Sequence, residues 1–223
     1  MSPILSLILD SARNMQSLVV GNNLAFSIID MNSYDCHKNT LQEKNFIKNT
    51  STERQQAFLT GRSALRTAAG MLGVNLNDSI LQDFNKAPIV PNNITVSISH
   101  SKNYAISLVG KSQSWAGVGI DIEFFDKNRF NKKLLSRIEK NWHLVKDTSE
   151  DIAKTISSKE SLVKLIYMAS GMKILLSNLE LQSNIDDSYV FLCKADNKLY
   201  NANAGFTYIN GGLFVISIVV VNS

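Results

Sequence analysis

The hydrophobic pattern changes period several times along the chain. In residues 52 to 72, Phe58, Leu65, Ala68 and Leu72 fall on one stripe beside Arg62 and Arg66, and Gly73 follows as a stop, which predicts a helix. Thr95–Ser99 and Tyr104–Val109 read as neighbouring strands joined by the polar turn Ser99–Asn103, which puts His100 at a loop mouth. If Gly117–Glu123 is a strand, Asp121 and Glu123 project together while Ile120 and Ile122 point the other way. Phe130, Leu134, Ile138 and Trp142 recur every four residues and predict one amphipathic helix within 127 to 146. Leu162, Leu165, Ile166 and Ala169 have the spacing of a buried helical stripe, and that helix is read as starting near Ser157. Residues 188–193 and 205–209 read as strands, and Asn210-Gly211-Gly212 is a turn into Leu213–Val221. In residues 21 to 50 Asn-rich loop and short strand are hard to separate. The succession is that of an α+β protein.

A chain of 223 residues, 44% hydrophobic, can bury a sizeable core as one domain or two small ones. Cys36 and Cys193 give no disulfide framework, so a reduced intracellular protein is expected. Ile4–Leu9 lacks a preceding basic region and breaks at Asp10, a poor signal peptide. Leu213–Val221 is far short of a spanning helix, so a cytoplasmic protein without a membrane span is expected. The three histidines and two cysteines have no zinc-ligand spacing, and His37 and His143 are left as structural. Net charge is +4 and the sequence pI about 9.0, compatible with polyanionic ligands. The excess is concentrated in residues 127 to 146, where Lys127, Arg129, Lys132, Lys133, Arg137, Lys140 and Lys146 face a single acid, Glu139. A solvated helix face is the common explanation of such a run.

Candidate chemistry centres on two segments. Asp121 and Glu123 on one face crowd like charges, which a hard divalent cation with oxygen ligands would relieve. Downstream, in Ser157-Ser158-Lys159-Glu160-Ser161-Leu162-Val163-Lys164, Glu160 and Lys164 stand one helical turn apart. One helix can thus offer a third carboxylate to a metal and an ammonium to a phosphate. Ser157-x-x-Glu160 also reads as a capping box, in which Glu160 only satisfies the helix start.

Together the two segments resemble the signature of the 4′-phosphopantetheinyl transferase superfamily: a Gly-hydrophobic-Asp strand, then Lys-Glu-Ser with a Lys four residues after the Glu. Here 38 residues lie between Asp121 and Glu160, a gap of the family's order, and Ile156 stands where the family usually has Trp or Phe. Val96–Ser101 resembles the family's strand ending in Ser-His, and Asn85–Ile89 its loop beside the coenzyme. Glu53–Arg62 is similar to the helix that brings Arg to the nucleotide and offers Arg54 and Arg62. The blocks run in family order over residues 53 to 164, about half the chain, with wording closest to the enterobactin-synthase branch.

The resemblance implies two similar α+β halves in a pseudo-twofold arrangement with the active site between them. They divide near Lys111–Ser114 into residues 1–114, for the adenosine end of coenzyme A, and 115–223, for the metal and carrier docking. It implies an enzyme that transfers 4′-phosphopantetheine from coenzyme A to a serine of an acidic apo acyl, peptidyl or aryl carrier protein, releasing 3′,5′-ADP. Asp121, Glu123 and Glu160 would hold Mg²⁺, Glu160 or a water near it would take the serine proton, and Lys164 would neutralise the pyrophosphate. Arg54, Arg62, Lys86, Ser99 and His100 would meet the coenzyme, and the basic run would dock the carrier. Nonribosomal peptide synthesis of a siderophore is the pathway implied, and a chain with both halves of the site is expected to be a monomer. Two alternatives remain open: a metal-dependent nuclease, which paired acids and a basic helix would also suit, and a non-catalytic protein that binds coenzyme A or a carrier.

Overall fold

The computed structural model describes residues 2–21, 23–34 and 39–223; Cys36 and His37 lie outside them. The first strands, β1 (Leu18–Val19) and β2 (Leu24–Asp30), follow helix α1 (Pro3–Arg13). Next come α2 (Leu41–Ile47), α3 (Thr52–Met71), β3 (Ile94–Ser101), β4 (Tyr104–Lys111) and β5 (Trp115–Phe124). The rest of the chain forms α4 (Lys132–Ile138), α5 (Ser149–Ser170), β6 (Leu179–Ile185), β7 (Ser188–Cys193), β8 (Lys198–Ile209) and β9 (Gly212–Asn222). The fold is α+β. One antiparallel sheet has the order β1-β2-β4-β3, the other β5-β9-β8-β7-β6. A short turn after β4 carries the chain from the first sheet into the second.

Each sheet bears one long helix, α3 on the first and α5 on the second, and a third apolar cluster joins the sheets between them. Helix α1 packs with this central cluster, and its Leu9 carbonyl accepts a hydrogen bond from Thr207 Oγ1 on β8 at 2.9 Å. Ile120 and Ile122 sit in the central cluster and are fully buried, so Asp121 and Glu123 face the other way, as the alternation predicts.

Strands β3 and β5 lie edge to edge without a backbone ladder between them. Serine hydroxyls do that work: Ser97 Oγ accepts from Ile120 N–H at 3.0 Å, and Ser101 Oγ accepts from Phe124 N–H at 2.9 Å. Ser99, between them, reaches Asp121. Alternate serines on one face of β3 thus satisfy β5 backbone groups at the seam where two sheets meet.

Several predicted elements differ from those observed. Helix α5 begins more than two turns before Ser157, capped by Thr148, whose hydroxyl accepts from Asp151 N–H. Ser157 and Glu160 are therefore mid-helix, and the capping-box reading falls. Leu162, Leu165 and Ile166 are buried as expected, but Ala169 is exposed near the helix end. The single amphipathic helix expected within 127 to 146 is instead the seven-residue α4 and a separate 3-10 turn, Trp142–Leu144. Glu139 causes the break. Its buried carboxylate turns inward to pair with Lys159 at 2.7 Å and accepts the N–H of Asn141 and Leu181, leaving its own backbone extended. Trp142 is consequently 40% exposed rather than part of a continuous apolar stripe. Residues 21 to 50 contain β2 and α2, and α2 has a capping box of its own between Thr40 and Glu43.

Candidate metal and phosphate site

Gly119 brings the site together. A Cβ there would lie 2.1 Å from the Ser161 carbonyl oxygen, so α5 crosses β5 at a distance only glycine permits. Ser157, Ser158 and Ser161, all buried, keep that face of α5 thin. The close crossing carries Glu160 to the carboxylates of β5. Asp121, Glu123 and Glu160 each place an oxygen within 4.8 Å of the others.

The electrostatics show an excess of negative charge. Burial and the neighbouring Asp121 carboxylate push Glu123 above the ordinary carboxylate range, against the pull of Arg129. Burial, then Asp121, push Glu160 up to about 7, with Lys164 opposing and Glu123 reinforcing. Two cations counter the three acids: Lys164 Nζ lies 2.7 Å from Asp121 Oδ1, and Arg129 Nη1 lies 2.8 Å from Glu123 Oε2. Asp121 is 1% exposed and also accepts from Ser99 Oγ and Ser157 Oγ, each at 2.8 Å. Carboxylate oxygens from two elements, incompletely neutralised and converging on one point, fit a hard divalent cation such as Mg²⁺.

Beside this cluster lies a cleft of about 330 Å³ between α3, the 82–88 loop and β3 on one side and α5 with its following loop on the other. Arg54, Arg62, Lys86, His100, Lys164 and Lys173 supply its basic lining. Arg62 is 6% exposed, donates from Nε to the Ile80 carbonyl at 3.1 Å, and lies 4.0 Å above the Phe58 ring. Burial pushes its pKa down to about 10, so it remains a cation at neutral pH. Arg66, on the same helix edge, turns away and forms a forked ion pair with buried Glu43 (2.6 and 3.1 Å), a structural role. His100 is the next-to-last residue of β3 rather than a loop residue. Burial and the cations of Arg54 and Lys164 hold its imidazole below the usual histidine range, and Asp121 only partly offsets them.

Lys86 occupies the tip of the 82–88 loop with φ +69°. Asp83 Oδ1 fixes that turn by accepting from the N–H groups of Asn85 and Ala87 at 2.9 and 3.0 Å. The loop is fastened to α5 by Tyr167, whose hydroxyl donates to Asp83 Oδ2 and accepts from Asn85 Nδ2.

The structure thus gathers all the sequence-selected residues around one cluster and one cleft, with two shifts of detail. Ser99 faces the Asp121 carboxylate and the Lys164 ammonium (2.9 Å). Lys164 directs its ammonium to Asp121, Ser99 and the Ile120 carbonyl, at the border between cleft and cluster. His143 is exposed on the 3-10 turn, away from both. Sequence reasoning missed Tyr167, Lys173, Ser157 and the Arg129–Glu123 pair. Tyr167 follows Lys164 by three residues on α5 and was visible as a neighbour on the same helix face; Lys173, in the loop after the helix, carried no such signal.

No curated protein matches the chain in a sequence search. Residues 42–110, which hold α3, the 82–88 loop, β3 and most of α2 and β4, match the family model described as the 4′-phosphopantetheinyl transferase N-terminal domain. The match includes Arg54, Arg62, Lys86, Ser99 and His100, and it supports the 4′-phosphopantetheinyl transferase superfamily as the one this chain is similar to.

Proposed function

We propose that the chain transfers the 4′-phosphopantetheine group of coenzyme A to a serine hydroxyl of an apo carrier protein. The serine oxygen forms a bond to the phosphorus attached to pantetheine, the pyrophosphate P–O bond breaks, and 3′,5′-ADP leaves with the bonding electrons. The observation that carries this reading is the junction of an acidic triad with a basic cleft across Lys164. Such transfer needs positioned reactants and neutralised oxygens more than covalent work by the protein.

Asp121, Glu123 and Glu160 would hold Mg²⁺, which when bound would neutralise pyrophosphate oxygens. Glu160, or a water near it, would take the proton of the attacking serine. Lys164 stands where the pyrophosphate would meet the triad, while Arg54, Arg62, Lys86 and His100 would hold the phosphates of the adenosine end. In this reading residues 1–114 serve the adenosine end and residues 115–223 serve the metal and the carrier. The basic segment around α4 would receive an acidic carrier. Its Arg129, Lys133 and Arg137 line a recess that also contains Glu160.

At the finest level we assign the carrier to an aryl or peptidyl carrier domain of a nonribosomal peptide synthetase making a siderophore, in the cytoplasm, with the enzyme acting as a monomer. Every group invoked comes from one chain, and no helix among the described residues is long and apolar enough to cross a membrane. Intact-mass spectrometry of an apo peptidyl carrier domain with this protein, coenzyme A and Mg²⁺ tests the reading. The expected gain is one phosphopantetheine, lost with EDTA. No gain on peptidyl, aryl or acyl carriers, together with no coenzyme A binding by calorimetry, rejects it. Glu160→Gln is expected to abolish transfer while retaining coenzyme binding, which separates catalysis from mere binding.

A further inference from the structure

The Asp121 carboxylate is held from below as well as from the side, and the lower support comes from Ser157 and Ser217, neither of which the sequence placed at the metal. Ser157 Oγ, on α5, lies 2.8 Å from Asp121 Oδ2 and 2.9 Å from Ser217 Oγ on β9. Ser217 is the cross-strand partner of Asp121 in the β5–β9 ladder, so both side chains project from the same face of the sheet toward α5. Its hydroxyl donates to the Ser157 carbonyl at 2.7 Å. Ser157 and Ser217 are both fully buried.

Counting protons decides the direction of these bonds. The Ser217 proton is engaged on a carbonyl, and a carboxylate only accepts. The single Ser157 proton therefore goes to Asp121 Oδ2, where the bond is charge-assisted, in preference to the neutral Ser217 oxygen. The opposite oxygen, Oδ1, is drawn by Lys164 and Ser99. Without Ser157, Oδ2 would be free to swing toward the Lys164 ammonium, and the carboxylate would lose its fixed rotation.

We propose that Ser157, braced by Ser217, is a positioning residue that sets the rotation of the Asp121 carboxylate and thereby the divalent-metal affinity of the acidic triad. The proposal rests on the reading of Asp121, Glu123 and Glu160 as a metal site. It requires no contact between Ser157 and substrate. It also gives α5 a reason to carry a small hydroxyl residue in mid-helix, where an alanine would fit equally well and have the higher helix propensity.

The test is calorimetric titration of Mg²⁺ and Mn²⁺ into the full chain without coenzyme A, for wild type, Asp121→Asn, Ser157→Ala and Ser217→Ala. Wild type is expected to bind and Asp121→Asn to fail. Ser157→Ala is expected to bind about tenfold more weakly, the effect of removing a group that orients a metal ligand, and Ser217→Ala to show a smaller loss. In turnover assays the Mg²⁺ requirement should rise in Ser157→Ala while the KM for coenzyme A at saturating Mg²⁺ stays unchanged. A Ser157→Ala protein with wild-type metal affinity, even one with a lower Tm, overturns the proposal and leaves the metal site standing. Absence of metal binding by wild type overturns both. Should Ser157→Ala fail to fold, Ser157→Cys, close in size and a weaker donor, replaces it with the same expectation.

Discussion

At the scale of single residues, the site depends on what is missing from Gly119 as much as on the charges around it. The Ser161 carbonyl occupies the place of a Cβ, and it is helix backbone that no rotamer change can move. Gly119→Ala is expected to push α5 off β5, costing more than about 3 kcal/mol and separating Glu160 from Asp121. The check is denaturant unfolding alongside metal titration: lost metal binding is expected even under conditions where the variant is folded. The role of Gly119 was half legible in the sequence, since Gly before an acidic strand residue marked a special position. The partner that demands it, a backbone carbonyl 42 positions later, was invisible without the fold. Asp121, Glu123 and Glu160 were legible because alternation and helical spacing are local rules. The hydroxyls behind Asp121 were not, since Ser157 and Ser217 are meaningful only through register.

At the scale of elements, two fastenings control α5. Lys159 is fully buried, pairs with Glu139, and donates to the carbonyls of Ile138 and Leu176 at 2.6 and 3.2 Å. Lys159→Met would strand the Glu139 carboxylate in the interior, and a loss of about 3–5 kcal/mol is expected in equilibrium unfolding. The double variant Lys159→Met with Glu139→Gln should recover part of it. The second fastening, Tyr167 to Asp83 and Asn85, sets the wall of the cleft. Tyr167→Phe removes the donor to Asp83, and calorimetry is expected to show several-fold weaker binding of 3′,5′-ADP with unchanged metal affinity. Equal binding by both proteins would mean that the loop holds its position unaided. The helix of residues 52 to 72 and the hairpin after it were readable because their stripes and turns are self-contained. The broken helix of residues 127 to 146 was not, because a distant lysine pulls Glu139 out of the pattern.

At the scale of the whole molecule, the acidic triad couples folding to pH. The raised Glu160 pKa means that the folded state holds this proton more tightly than the unfolded chain does. The stabilisation from protonation is complete below the unfolded carboxylate value of 4.5 and is lost as pH rises through about 7. Without metal, the Tm of wild type relative to Glu160→Gln is therefore expected to fall between pH 5 and pH 8. Added Mg²⁺ should raise the wild-type Tm most at the alkaline end, where the carboxylate is ionised, and a Mg²⁺ effect that is largest at pH 5 would contradict the metal assignment. The α+β class followed from the order of local signals, whereas the way two sheets share one cluster rests on a seam that periodicity does not encode.

That seam, in which hydroxyls of β3 replace a ladder to β5, has a consequence for how the protein can change. A backbone ladder survives almost any side-chain change short of proline. A joint made of Ser97, Ser99 and Ser101 can be edited one rung at a time, because each rung is a separate side chain. The distance between the basic cleft and the acidic triad is thus open to adjustment by single substitutions that leave both sheets intact.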